Sequence, residues 1–238
     1  MDTLDQLPNM IELKGVHKRY LLKQALNGVD LQIKTGSIVG LLGPNGSGKS
    51  TLLKMMAGLI YPTSGTIRVN GREPDVRNKR HIAYLPEIDH LYNWMTVKET
   101  LQFISGFYGD WQEEKAAQML REMELDERQK VRNLSKGMRA RLKLIAALAR
   151  KVPLVLLDEP FSGIDPMSRA KIIQSILSQF QAEEQTILLS THSVKESEPM
   201  FDDVIFLQNG RIKLHDTAEN LRSSYGCSLE NIWEKVYT

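Results

Sequence analysis

Two kinds of apolar pattern run along the chain. Ile11-Glu12-Leu13 and Gly28-Val29-Asp30-Leu31-Gln32-Ile33 alternate apolar and polar residues, which predicts half-exposed antiparallel strands. Ser37-Ile38-Val39-Gly40-Leu41-Leu42, Leu154-Val155-Leu156-Leu157 and Thr186-Ile187-Leu188-Leu189 are nearly unbroken apolar runs. Such runs predict parallel strands buried on both faces. Segments of helical period stand between them. Ser50 to Leu59 repeats Leu52, Leu53, Met56 and Leu59, Ser135 to Arg150 puts Leu142, Ile145, Ala146 and Ala149 on one face, and Met167 to Gln181 separates two buried strands. Thr96 and Glu99 have capping-box spacing and predict a helix running through Phe103, with a second over Trp111 to Glu124. Asn70-Gly71 predicts a hairpin turn, as does Asn209-Gly210 within Val204 to Leu214, before a short helical end. Strands on both sides of a helical middle third predict an α/β fold.

Composition narrows the class. A chain of 238 residues is one generous domain or a core with an inserted subdomain. Hydrophobic residues at 42% and charged residues at 25% exclude disorder. The net charge of +2 is too balanced to make nucleic acid or anionic lipid the expected main partner. A lone Cys227 excludes an internal disulfide framework and fits a reducing compartment, and nothing marks it as activated. No apolar run reaches membrane-spanning length, and Met1 to Met10, with Asp2 and Asp5, lacks a secretory pattern. The expectation is a single soluble intracellular protein without repeats.

Chemistry concentrates after the first buried run. Gly43-Pro44-Asn45-Gly46-Ser47-Gly48-Lys49-Ser50 fits G-x-x-x-x-G-K-[ST] between a strand and a helix that continues with Thr51. Glycines there let backbone N–H groups converge on phosphate oxygens, and the helix N-terminus adds positive potential. Lys49 is the expected partner of the β- and γ-phosphates and the Ser50 hydroxyl of Mg²⁺. The fold is thus expected to be a P-loop NTPase core with a mixed sheet, an N-terminal antiparallel β part and an inserted helical subdomain. The second metal-side acid is expected at Asp158, where the strand Leu154 to Leu157 ends, and Glu159 beside it is the candidate to polarise the attacking water.

These residues, with others at compatible spacing, resemble the ATP-binding subunits of ABC transporters from about Ile11 to Gly210. Leu134-Ser135-Lys136-Gly137-Met138 resembles the signature loop L-S-G-G-Q, Asp165 in Ser162-Gly163-Ile164-Asp165 the D-loop, and His192 after a strand the switch histidine. Tyr20 matches the aromatic residue that stacks on adenine, and Glu87 in Tyr84-Leu85-Pro86-Glu87 occupies the Q-loop position, with a catalytic and a metal-coordinating role. The resemblance implies one nucleotide-binding domain over 1–238, with an ATP-binding core at about 1–86 and 151–238 and a helical subdomain at about 87–150. It implies ATP and Mg²⁺ as cofactors, and a head-to-tail dimer in which Ser135 and Gly137 meet the partner's γ-phosphate. It also implies a permease on a separate chain, which places the protein in the cytoplasm at the inner face of the membrane.

Three positions depart from the family pattern: Lys136 replaces a glycine, Met138 a glutamine, and Glu87 a glutamine. The combination resembles branches that serve export-type permeases. Leu91, Tyr92, Trp94 and Met95 form an apolar-aromatic cluster where the family docks a coupling helix of the permease, or else ordinary local core. Leu229-Glu230-Asn231-Ile232-Trp233 resembles a short C-terminal helix, as a docking tail, a regulatory contact or simple packing. Other readings stay open from sequence. One is a soluble single-domain ATPase of the same family acting as an assembly or regulatory factor without transport. Another is a degraded domain that only binds nucleotide. The interval from Lys49 to Asp158 leaves no room for the long coiled coil of DNA-repair members.

Overall fold

A computed structural model describes residues 8–75, 77–182 and 184–237. The segment read as lacking a secretory pattern lies mostly outside them, in residues 1–7. The alternating segments form β1 (Asn9–Tyr20) and β2 (Lys23–Lys34), paired antiparallel. A third strand, β4 (Ser64–Val69), joins the other edge of β1. Asn70 and Gly71 turn with positive φ, 49° and 71°, but the return is only a bridge from Val69 to Arg72, so the expected hairpin stops there.

The unbroken apolar runs become β3 (Ile38–Leu42), β6 (Leu154–Asp158) and β7 (Thr186–Thr191). They form a six-stranded sheet with β5 (Ile82–Leu85), β8 (Asp203–Gln208) and β9 (Arg211–Thr217), in the order β5-β6-β7-β3-β8-β9. Five strands run parallel, and β9 returns antiparallel to β8 through the turn at Asn209-Gly210. An unbroken apolar strand is what two covered faces demand, because successive side chains point to opposite sides. Val155 and Leu157 enter one core while Leu154 and Leu156 enter the other, and Val204 and Phe206 alternate likewise with Ile205 and Leu207.

One core lies between this sheet, the three-stranded sheet and helix α1 (Lys49–Met56). Sequence periodicity carried α1 to Leu59, but Gly58 at φ 66° ends it early. The other core receives α2 (Val97–Ser105), α3 (Glu113–Glu122), α4 (Lys136–Leu148), α5 (Pro166–Gln179), α6 (Ala218–Tyr225) and α7 (Leu229–Tyr237). The expected capping box is formed: Thr96 accepts from the Glu99 amide and Glu99 from the Thr96 amide. Buried Arg150 ties the helical segment to the sheet. It grips Asp110 at 3.0 and 2.8 Å and donates to the carbonyl of Ile82 at the head of β5. No helix among the described residues is long and apolar enough to cross a membrane.

Candidate functional site

The P-loop leaves the C-terminal end of β3 and enters α1. Gly48 caps the helix at φ 112°, a left-handed conformation that a side chain resists, and an added Cβ would meet the Ala25 carbonyl at 2.7 Å. A cleft of about 370 Å³ opens over the loop, lined by Tyr20, Asn45, Gly46, Ser47, Gly48, Lys49, Ser50, Thr51, Glu87 and Glu159. Gly43 and Pro44 stand beneath it, and their carbonyls accept from Lys49 Nζ at 2.7 and 3.4 Å. Tyr20 is 44% exposed at the rim, with Lys18 Nζ 5.0 Å from its ring centre. An exposed aromatic face at the mouth of the P-loop cleft suits a planar base.

Strand register sets the acidic wall. β6 and β7 pair Asp158 with Ser190, so the Ser190 hydroxyl donates to Asp158 Oδ1 at 2.8 Å. Ser50 donates to the same oxygen at 3.0 Å, and Tyr84 donates to Oδ2 at 3.2 Å. Burial and the neighbouring Asp158 carboxylate push the Tyr84 pKa upward, which keeps its hydroxyl a donor. Sequence reasoning missed both Ser190 and Tyr84, because strand pairing alone brings them to Asp158.

Glu159 follows with φ 48°, rare for a residue with a side chain. Its amide donates to the Ser190 hydroxyl at 3.0 Å and to the Ser190 carbonyl at 3.2 Å, which fixes the turn. Glu159 Oε2 lies 2.8 Å from His192 Nδ1 and Oε1 lies 3.1 Å from Lys49 Nζ. The Lys49 approach is ionic without hydrogen-bond alignment, so Oε1 has no hydrogen-bond donor. His192 is 45% exposed on its side chain while Glu159 is 6% exposed, so the acid is sheltered and the imidazole faces outward. A carboxylate placed this way can orient or deprotonate a water, with the imidazole steering its other oxygen.

The structure does not bring Ser135, Lys136, Gly137, Met138 or Asp165 into that cleft. They form a separate patch. Ser135 caps α4 by accepting from the Met138 amide at 3.2 Å, and Asp165 caps α5 by accepting from the Ser168 amide at 2.8 Å. The Ser168 amide also holds the Asp165 pKa below the usual carboxylate range. Gly137 sits where a Cβ would run into the Ser168 hydroxyl and come within 2.9 Å of Asp165 Oδ2. Lys136 Nζ covers Gly163, so the two loops touch. The aromatic cluster divides: Leu91 and Met95 are core, while Tyr92 and Trp94 are exposed and continue onto Phe103 and Phe107 through ring contacts of 5.0 to 5.9 Å.

No group of three or more His, Cys, Asp or Glu side chains among the described residues is arranged to hold a metal. Mg²⁺ in phosphate sites takes only one or two protein oxygens beside phosphate and water. Ser50 and Asp158, with hard oxygens 3.0 Å apart at the P-loop, fit that requirement.

A family model described as ABC transporter matches residues 26–162. The Nod factor export ATP-binding protein I of Burkholderia orbicola (strain AU 1054) is 36% identical over 234 residues, covering 94% of this chain and 76% of that protein. The lantibiotic transport ATP-binding protein SrtF of Streptococcus pyogenes is 32% identical over 221 residues, covering 91% of this chain and 96% of that protein. A solved structure of the ATP-binding subunit of an ABC transporter has a TM-score of 0.84 at 31% identity, over 96% of this chain and 100% of the other. A dimeric cassette bound to ADP and Pi in a post-hydrolysis state has a TM-score of 0.78 at 26% identity, over 87% and 98%. Both named relatives are transport components, as the resemblance to export-type branches implied. The chain belongs to the ABC transporter family and is built as one of its ATP-binding subunits.

Proposed function

We propose that this chain binds Mg²⁺ and ATP and hydrolyses the ATP to energise a permease carried on another chain. One observation carries the catalytic reading. At the mouth of the P-loop cleft, a sheltered Glu159 carboxylate stands between Lys49 and His192, at 3.1 and 2.8 Å. Tyr20 stacks on the base. Residues Gly43 to Thr51 wrap the phosphates, all but Pro44 offering a backbone N–H, and Lys49 neutralises the terminal ones. Ser50 and Asp158, with Glu87 across the cleft, would hold the metal, which would offset phosphate charge when bound. Glu159 takes the proton of the attacking water, and His192 Nδ1 keeps the carboxylate turned towards it.

The patch of Ser135, Lys136, Gly137, Met138 and Asp165 completes the site of a second copy or of a paired relative. Its place outside this chain's own cleft supports that reading. The start of α4 then meets the partner's γ-phosphate with positive potential. Closure on ATP and reopening on hydrolysis move the helical subdomain at 87–150, and the exposed rings of Tyr92 and Trp94 pass that motion to a permease helix. The protein would work in the cytoplasm, peripheral at the inner face of the membrane.

Steady-state ATP hydrolysis measured against chain concentration tests this. The expected rate rises more than linearly, because two chains build each site. A rate strictly proportional to concentration, with no dimer in the presence of ATP, would exclude the shared site.

A further inference from the structure

The segment that carries Glu87 is held by the helix that begins at Ser135. Lys143 stands about two turns into α4 from Ser135. Its Nζ donates to the carbonyls of Pro86, Glu87 and Ile88 at 3.0, 3.0 and 3.2 Å. An ammonium has three hydrogens to donate, and here each has its own carbonyl in three consecutive residues. One turn earlier on the same face, Arg139 extends the grip. It binds Asp89 Oδ2 at 2.5 Å, Asn93 Oδ1 at 2.9 Å and the Val131 carbonyl at 2.7 Å.

The position matters because of what Glu87 faces. It lines the cleft with Glu159 and Ser50, and Asp158 lies just behind Ser50. Where the family pattern has a neutral amide, this chain adds a third carboxylate to that wall. A loop of exposed residues would let such a carboxylate swing away from its neighbours. Lys143 restricts this by fixing the backbone on both sides of Glu87, and brings a positive charge to the same spot. Charge-assisted hydrogen bonds are the stronger class, and three from one ammonium define a position closely.

We infer that Lys143 is a positioning residue: it holds Glu87 at the metal edge of the nucleotide cleft and links that edge to the signature helix α4. The inference rests on the nucleotide reading of the cleft. It gives Lys143 a role through Glu87 and no contact of its own with substrate.

The test compares Lys143→Met, which keeps the apolar stem and removes the ammonium, with Lys143→Arg, which keeps the charge. Carbonyl carbon resonances of Pro86, Glu87 and Ile88, read by NMR on the full chain without nucleotide, should shift in Lys143→Met while those of the P-loop stay in place. The Mg²⁺ concentration for half-maximal ATP hydrolysis should rise by about fivefold or more, with ATP affinity in the presence of a chelator unchanged. Lys143→Arg should recover most of that loss. In a Glu87→Ala background the Met substitution should no longer move the Mg²⁺ dependence. Unmoved carbonyl resonances overturn the inference, and so does an equal Mg²⁺ shift in the Glu87→Ala background. Shifts spread over the whole chain would overturn it too, since they report a general structural role. Failure of the unaltered chain to bind ATP would sink the nucleotide reading instead, and the carbonyl resonances would still report the grip.

Discussion

Lys49 Nζ lies 3.1 Å from Glu159 Oε1, and the two side chains are 5% and 6% exposed. The group expected to meet the phosphates is thus already paired with the group expected to act on water. Lys49 also holds the Gly43 carbonyl at 2.7 Å, so its charge is shared between the loop and the acid. On the proposed function, phosphate oxygens arriving in the cleft would compete for the same ammonium and free Glu159 as they bind. Nucleotide binding and release of the base would then be one event.

Lys49→Ala and Glu159→Gln should therefore separate binding from chemistry. Without Lys49, ATP affinity should fall by about a hundredfold, since a buried charge-assisted contact is worth ~2–3 kcal/mol. Removing one partner of the buried pair should also lower fold stability by ~1–3 kcal/mol, the cost of a buried polar group left without its partner, with His192 still beside Glu159. Glu159→Gln should keep ATP affinity within about threefold and lose turnover by about 10²–10⁴-fold. Calorimetry with ATP and single-turnover phosphate release check the two halves. Wild-type turnover in Glu159→Gln would remove Glu159 from the reaction.

The separation of the Ser135 patch from the P-loop cleft makes a complementation result predictable. Ser135→Glu puts a negative charge where the partner's phosphate should lie, and Lys49→Ala removes the P-loop ammonium from the cleft. Each variant alone should be nearly inactive. Mixed, they should regain activity, because one site of the mixed dimer pairs an intact cleft with an intact signature loop. Size exclusion with ATP and a titration of one variant into the other read this out. Activity that stays at the sum of the parents would show that each site is complete in one chain.

Neighbouring residues of the aromatic cluster should behave oppositely. Trp94 is 66% exposed, so Trp94→Ala should change stability by less than ~0.5 kcal/mol. It should also leave ATP binding intact and abolish co-purification with the permease in detergent. Met95 is 6% exposed and should cost about 2–4 kcal/mol as Met95→Ala in denaturant unfolding. Equal permease capture by the Trp94 variant would move the docking surface elsewhere.

What the sequence made legible was local. The P-loop is contiguous, its strand and helix flank it, and Asp158 and Glu159 end an apolar run that reads as a buried strand. Apolar alternation separated the two sheets, and the cap at Thr96 and the turn at Asn209 are written in adjacent residues. What stayed hidden depends on distant chain segments meeting. β5 is four residues long, so its pattern says little, yet it brings Tyr84 to Asp158. The C-terminal helix, left open between packing and a docking role, buries Leu229 and Ile232, and Tyr237 donates to the carbonyls of Leu42 and Leu207 at 3.1 and 3.0 Å. The tail thereby braces the strand end from which the P-loop departs. Leu91 and Tyr92 are adjacent in sequence and both belong to the apolar-aromatic cluster, and the packing assigns one to the core and the other to the surface.

The left-handed backbone at Glu159, φ 48°, is a conformation that glycine adopts freely and that other residues adopt at a cost of about 1–2 kcal/mol. Judged by the fold alone, glycine is the better residue at 159. The proposed chemistry requires an acid there, and the bonds from its amide to Ser190 and from the Ser162 amide to its carbonyl hold the chain in that shape. A protein is typically stable by only ~5–15 kcal/mol in total, so this one turn concedes a noticeable share of the margin. With Glu159 as the proposed base, stability and activity pull apart at a single backbone angle.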